Sequence, residues 1–127
     1  MSIEWLESYK TGNAEIDASQ KALFDLTNQI ADSQDWMALR PMIVTLFKQM
    51  QSHFELEEAL MAKVAFPGAQ AHAEDHQHLL TRLRDRSMDV GKGHMNKKAI
   101  VGVMTDWAHR HVANLDTELA QYLAVWA

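Results

Sequence analysis

Two short runs of the chain carry histidine and acidic residues at a spacing that suits metal binding. His53 and Glu57 stand four residues apart, and so do His72 and His76. In an α-helix, residues four apart differ by about 40° of rotation and one turn of rise, so each pair projects two ligand atoms into one space. Either pair alone also has an ordinary explanation, because seven histidines in 127 residues place some pair at this spacing by chance.

The register of the surrounding apolar residues favours the metal interpretation. Three segments show the alternating spacings of three and four residues that mark the buried stripe of a bundle helix. Their stripe residues are Leu39, Ile43, Leu46, Met50, His53, Glu57, Leu60 and Val64; then His72, His76, Leu79 and Leu83; then Ile100, Met104, Trp107 and His111. An ionised carboxylate and several imidazoles in one apolar interior cost on the order of several kcal/mol unless they are paired or bind a cation.

Composition and charge narrow the class of protein. With 47% hydrophobic and 23% charged residues, the chain has the composition of one globular domain over residues 1–127. A net charge of −5 without a basic run argues against a nucleic-acid partner. No apolar run reaches the roughly 18 residues of a membrane span, and the first residues lack the features of a signal peptide. We therefore expect a cytoplasmic protein that acts away from membranes.

The absence of cysteine limits the chemistry of any metal site. It excludes disulfides, thiolate zinc sites, iron–sulfur clusters and cysteine nucleophiles. Any metal must therefore be held by nitrogen and oxygen atoms. Mixed imidazole and carboxylate ligands favour iron over magnesium or calcium, although zinc and manganese also accept them.

Helix breakers divide the chain into four helices. The predicted helices cover 14–31, 38–65 and 69–88, and a fourth begins near Lys97. Residues 1–12 are predicted to be an irregular arm whose aromatic residues, including Trp5, pack against the body, and residues 90–93 a loop. No strand signal appears, and the connections are short. We predict an all-α, up-down-up-down four-helix bundle with an N-terminal arm and a short C-terminal helical segment.

Two positions raise questions of local geometry. Five residues of a regular α-helix give about 140° of rotation, so His111 and Asp116 cannot share one face of it. If both reach a site, the helix must bend, bulge or restart between them. A restart would place Asp116 near the head of a final segment whose Leu119, Leu123 and Trp126 pack inward. Gln20 either closes a capping box with Asp17 or, if Asn13 caps the helix, faces the core; the apolar stripe favours the second.

The complete candidate set contains four imidazoles and two carboxylates, with Gln20 on the remaining helix. This is too many ligands for one octahedral ion with an open position, but it suits two ions bridged by carboxylates. The candidates are His53, Glu57, His72, His76, His111 and Asp116, together with Gln20 on the first helix.

With these residues assembled, the chain resembles the bacterial hemerythrins, four-helix bundles that carry a non-haem di-iron centre and bind O₂ reversibly. The order and spacing of four stretches carry the resemblance over nearly the whole chain. They are Asn13-Ala14-Glu15-Ile16-Asp17; His53-Phe54-x-x-Glu57-Glu58-x-x-Met61; Phe66-Pro67 followed by His72-x-x-x-His76; and Trp107-x-x-x-His111-Val112-x-x-x-Asp116.

The resemblance implies a role for each candidate. His72, His76 and His111 would hold one iron, His53 would hold the other, and Glu57 and Asp116 would bridge the pair. The family's further histidine on the first helix, a ligand of the second iron, aligns with Gln20. Since an amide oxygen is a weaker donor than imidazole, we expect a loosely bound second iron, with Gln20 or water as its ligand.

Two smaller departures concern the surroundings of the site. Ala108 stands where the family usually has leucine, so we expect a roomier and wetter pocket. The remaining histidines, His78, His94 and His109, lie off the apolar stripes and are expected to be solvated.

These expectations define the candidate functions. The leading one is an iron protein that binds O₂ or a related small oxidant, such as peroxide, as carrier, sensor or scavenger. The main enzymatic alternative is a di-iron peroxidase or oxidase, favoured by the replacement at Gln20. A regulatory module whose iron state biases a partner protein, and a bundle that retains only the three-histidine iron, complete the alternatives.

Overall fold

The protein is an antiparallel bundle of helices. A computed structural model describes residues 3–91 and 97–125, and no strand occurs among them. The elements are a 3₁₀ helix at Glu7–Tyr9, α1 at Ala14–Asp32, α2 at Trp36–Lys63, α3 at Ala69–Gly91, α4 at Lys97–Asp106, a π-helical segment at Trp107–Asp116 and α5 at Thr117–Val125. The predicted fold class, four helices with a C-terminal helical segment, is confirmed. Within the described ranges, none of the helices combines the length and apolar character needed to cross a membrane.

Side-chain caps set where the first two helices begin. The Asn13 side chain accepts a hydrogen bond from the backbone N–H of Ile16 at 3.0 Å, so α1 begins at the predicted residue. α2 begins two residues earlier than predicted, because the Asp35 carboxylate accepts from the backbone N–H of Met37 at 3.0 Å. α3 runs to Gly91, beyond the predicted end, so the first half of the predicted loop at 90–93 is helical; the rest lies outside the described residues.

The four main helices pack side by side around one hydrophobic core. α1 packs on α2, α2 on α3, α3 on α4, and α4 returns to α1. Large side chains such as Phe24, Phe54 and Trp107 are at most 1% exposed, and the ring centroids of Phe24 and Trp107 are 5.3 Å apart. Burial of each such side chain contributes about 1.5–3 kcal/mol. This apolar ring surrounds the polar residues that the sequence predicted to face inward.

The N-terminal arm is fastened to α1 at two points. The Asn28 side chain accepts from the backbone N–H of Ile3 and donates to its carbonyl oxygen, both at 2.9 Å. The Asp17 carboxylate accepts from the backbone N–H and hydroxyl of Thr11, at 2.7 and 2.8 Å, and from the N–H of Gly12 at 3.2 Å. Trp5 lies between these points and packs against the core, as predicted.

The paired hydrogen bonds of Asn28 make a testable contribution to stability. Asn28→Ala removes both of them, and we expect the free energy of unfolding to fall by about 1–2 kcal/mol. Urea denaturation measures this loss, and limited proteolysis should show faster cleavage of the arm. Gln29→Ala, an exposed neighbour on the same helix, is the matched control. Equal stability of the two variants would show that the arm is not held in this way.

Candidate metal centre

The six candidate ligands that the sequence predicted converge in the middle of the bundle. They come from α2, α3 and the π-helical segment, and each is at most 1% exposed. The converging residues are His53, Glu57, His72, His76, His111 and Asp116. Gln20 of α1 is also fully buried and contacts Asp116, so its predicted inward orientation is confirmed.

One group of ligand atoms surrounds the Glu57 carboxylate. The side chains of Glu57, His72, His76 and His111 each place a ligand atom within 4.8 Å of the others. Glu57 Oε1 lies 3.0 Å from His76 Nε2, 3.5 Å from His72 Nε2 and 3.8 Å from His111 Nε2. The Nε2 atoms of His76 and His111 are 3.1 Å apart. Three imidazoles from two helices therefore face one carboxylate oxygen.

A second group shares this carboxylate. The side chains of His53, Glu57 and Asp116 also place ligand atoms within 4.8 Å of one another, and His53 Nε2 lies 3.8 Å from Glu57 Oε1. Asp116 Oδ1 is 3.0 Å from His72 Nε2 and 3.1 Å from His111 Nε2. Both carboxylates thus contact the three-imidazole group and also belong to the second group. The two groups form one cluster with Glu57 and Asp116 between them.

The π-helical segment brings His111 and Asp116 to the same place. Its backbone is hydrogen-bonded from residue i to i+5, so residues five apart lie on one side of the helix. Of the three possibilities left by the sequence, the helix bulges. The restart that the sequence also allowed does not bring the two side chains together, because Asp116 ends the π segment and α5 begins only at Thr117. Of the residues predicted to pack inward in the final segment, Leu119 is buried and Leu123 half-buried, and Trp126 lies outside the described residues.

The outer nitrogens of three imidazoles have hydrogen-bond partners that the sequence interpretation missed. His76 Nδ1 lies 2.9 Å from Glu58 Oε2, and His111 Nδ1 lies 2.6 Å from Asp75 Oδ2. His53 Nδ1 instead lies 3.0 Å from the Ser19 hydroxyl. Such partners fix the orientation of a ligand imidazole and raise its basicity. The adjacency of Glu58 to Glu57, and of Asp75 to His76, was a signal that could have indicated two of them.

Contacts within the cluster shift the pKa values of Glu57 and His111 towards their charged forms. Burial alone would raise the pKa of Glu57, but contacts with the three imidazoles of its group hold that pKa well below its usual range. Burial favours the neutral form of His111, but the charge of Asp116 and contacts with neighbouring carboxylates raise its pKa well above the ordinary value. Burial lowers the pKa of His53. His111 and His53 therefore differ in how strongly they attract protons.

Unpaired polar atoms show that the cluster fits a bound cation. His53 Nε2, Glu57 Oε2, His72 Nε2 and Asp116 Oδ1 are buried without a hydrogen-bond partner among the described residues. His72 Nε2 and Asp116 Oδ1, for example, lie 3.0 Å apart, but the angles between them do not allow a hydrogen bond. Unsatisfied buried groups are costly, and nitrogen and oxygen donors that point at a common centre are satisfied by metal ions. The donor set suits iron.

Comparison with known proteins agrees with this geometry. Residues 11–123 match the model of a family described as "Hemerythrin HHE cation binding domain". The chain belongs to the hemerythrin family. The resemblance predicted from the sequence motifs is confirmed, and a hemerythrin domain accounts for nearly the whole chain.

Named hemerythrins align with the chain along most of their own length. A bacteriohemerythrin of Ralstonia nicotianae is 26% identical over 125 residues, which cover 96% of this chain and 89% of the relative. A hemerythrin subunit of Sipunculus nudus is 27% identical over 120 residues, 94% of this chain and 92% of the relative. Myohemerythrin of Riftia pachyptila is 24% identical over 112 residues, with coverages of 88% and 86%.

The structure also tests the predictions for residues outside the ligand set. His78 and His109 are exposed, as predicted, and His94 lies outside the described residues. Ala108 is buried at 1% exposure. That its small side chain makes the pocket roomier and wetter stays a prediction.

The Asp75 carboxylate offers a test of imidazole support. Asp75→Asn keeps the shape of the side chain but removes the charge beside His111 Nδ1, so we expect metal affinity to fall about 10–100-fold. Glu74→Gln, an exposed neighbour, is the matched control. Titration of apoprotein with metal in competition with a chelator measures both variants. Equal affinities would contradict the supporting role of Asp75.

The raised pKa of His111 predicts that protons compete with the metal. Imidazole binds metal only when its ligand nitrogen is deprotonated. Because the proton is held above the ordinary range, affinity should increase as pH rises through the raised pKa and decrease as pH falls below it. Calorimetric titrations in buffers of different ionisation enthalpy measure the protons released. Metal uptake without proton release near pH 7 would contradict this prediction.

Proposed function

We propose that this hemerythrin-family protein holds two non-haem iron ions inside the bundle and binds O₂ or a related small oxidant there. The observation that carries the proposal is the pair of ligand groups that meet at Glu57. A single mononuclear site would leave His53 as a buried imidazole whose Nε2 has no hydrogen-bond partner among the described residues. Two ions would use both groups.

The assignment of ligands follows the two groups. His72, His76 and His111 would hold one iron, and His53 would hold the other. Glu57 and Asp116 would bridge the ions, an assignment supported by the position of both carboxylates between the groups. Iron bound in this way would supply a redox-active centre for O₂ or peroxide.

The protein contributes orientation, charge and exclusion of water. Glu58 and Asp75 hold the outer nitrogens of His76 and His111, so these rings are fixed before metal binds. Phe54 stacks on His76, with ring centroids 3.9 Å apart and planes 7° from parallel. The buried carboxylates reduce the charge that two cations would bring into an apolar core.

The second ion is held less strongly in this proposal. Its imidazole, His53, is supported by the hydroxyl of Ser19, whereas two imidazoles of the first ion are supported by carboxylates. A hydroxyl raises the basicity of an imidazole less than a carboxylate does. Gln20 also stands where the resemblance implies a further histidine. This asymmetry favours a peroxidase or oxidase as the second candidate function.

The roles of carrier, sensor and scavenger follow from the same centre and differ in the fate of the oxidant. A carrier shows a reversible change in the visible spectrum when anaerobic ferrous protein meets air. An enzyme consumes H₂O₂ continuously when an electron donor is present. The cytoplasmic location, the single domain over residues 1–127 and the lack of a nucleic-acid partner stay predictions from the sequence.

Iron stoichiometry tests the proposal directly. Anaerobic reconstitution with Fe(II) should load two ions per chain in the unmodified protein and one in His53→Leu, because only the second ion depends on His53. His78→Leu, which changes an exposed histidine, should still load two. Iron analysis after removal of unbound metal gives the counts. One ion in the unmodified protein would favour the mononuclear alternative, and none would contradict the proposed function.

A further inference from the structure

The two ends of the Gln20 side chain have different partners. Gln20 Oε1 accepts a hydrogen bond from the indole N–H of Trp5 at 2.8 Å. Gln20 Nε2 donates to Asp116 Oδ2 at 3.4 Å. The amide thus connects the N-terminal arm, through α1, to one of the carboxylates of the metal centre.

The chemistry of these partners fixes which way the amide faces. An indole N–H can only donate a hydrogen bond, and an ionised carboxylate can only accept one. Reversing the amide would place its NH₂ group against the indole N–H of Trp5 and its oxygen against Asp116. Gln20 is fully buried, so water does not relieve either repulsion. The amide oxygen therefore faces Trp5, and the end nearer Asp116 has no lone pair to offer a metal.

Trp5 is itself held in place. The ammonium groups of Lys10 and Lys21 lie 5.8 and 5.3 Å from the centroid of its ring. Such cations are attracted to the face of an indole ring. The arm is also tied to α1 by the two hydrogen bonds between Ile3 and Asn28. The donor that occupies Gln20 Oε1 therefore has a defined position.

We propose that Gln20 is a positioning residue for Asp116, oriented by Trp5, and that it is not a metal ligand. The inference rests on the proposed metal centre and replaces the weak amide ligand that the sequence suggested. The residues that would hold the second ion are then His53, as its one imidazole, and the carboxylates of Glu57 and Asp116. The position that Gln20 does not fill would be open to an exchangeable ligand, and the N-terminal arm would help to position Asp116.

Hydrogen exchange of the Trp5 indole N–H separates the two roles. NMR of ¹⁵N-labelled protein without metal and loaded with Zn(II) measures this exchange, and Trp5→Phe assigns the resonance. As a positioning residue, Gln20 keeps its hydrogen bond to Trp5, so the exchange rate should be unchanged by Zn(II). As a ligand, Gln20 must turn its oxygen to the metal, and the Trp5 indole N–H should then exchange roughly fivefold faster, as expected for loss of one hydrogen bond. That acceleration would overturn the inference.

A variant adds an independent comparison. Gln20→Leu removes the acceptor, and the Trp5 indole should exchange roughly fivefold faster, as expected for loss of one hydrogen bond. In Co(II)-loaded protein the same variant should shift the visible absorption bands, because Asp116 loses its donor. Gln29→Leu, on the exposed side of α1, should change neither property. The comparison of unmodified protein with and without Zn(II) does not require the variant to fold.

Metal analysis of the NMR samples separates this inference from the proposed function. Two Zn(II) ions per chain with an unchanged exchange rate of the Trp5 indole N–H support both the metal centre and the positioning role of Gln20. Two ions with loss of the Trp5 hydrogen bond overturn only the role of Gln20. Failure to bind metal overturns the metal centre and, with it, the positioning role.

Discussion

Burial of ionisable groups in an apolar bundle is the constraint on which this structure depends. Glu57 and Asp116 are fully buried, and four imidazoles surround them. Carboxylates at such positions are strongly destabilising unless nearby positive charge or hydrogen bonds compensate for lost hydration. The imidazoles supply part of this compensation, and a cation would satisfy the atoms that remain unpaired. The apolar ring around the cluster strengthens each of these interactions, because it lowers the local dielectric constant.

Several irregular features of the backbone are explained by this cluster. The π-helical segment gives up regular α-helical bonding, yet it brings Asp116 beside His111. π-helical turns are rare and occur frequently at functional sites. The N-terminal arm contributes little regular structure, but its fastening to α1 places Trp5 against Gln20. In both cases a local departure from ideal structure positions one side chain near the metal centre.

The two halves of the centre differ in a way that bears on chemistry. The three-imidazole group has two rings whose outer nitrogens are supported by carboxylates, whereas the outer nitrogen of His53 is supported by the Ser19 hydroxyl. Gln20 contributes a hydrogen bond to Asp116 in place of the ligand that the resemblance implied at its position. Under the proposed function, one ion is structurally secure and the other is more open to an external ligand. An ion that is more open to external ligands would also be open to peroxide, so the replacement at Gln20 bears on redox chemistry as well as on O₂ binding.

The sequence by itself determined which side chains face the core, because helical periodicity is local and depends only on residue spacing. The inward positions of His53, Glu57 and Gln20, and the four-helix architecture, followed from that period. Only the tertiary structure decided the contacts between distant elements, such as Asp75 with His111 and Trp5 with Gln20. Those contacts depend on how closely helices approach and on how each side chain turns, which no local period encodes. For the same reason the sequence posed the problem of His111 and Asp116, but tertiary packing selected the π bulge that solves it.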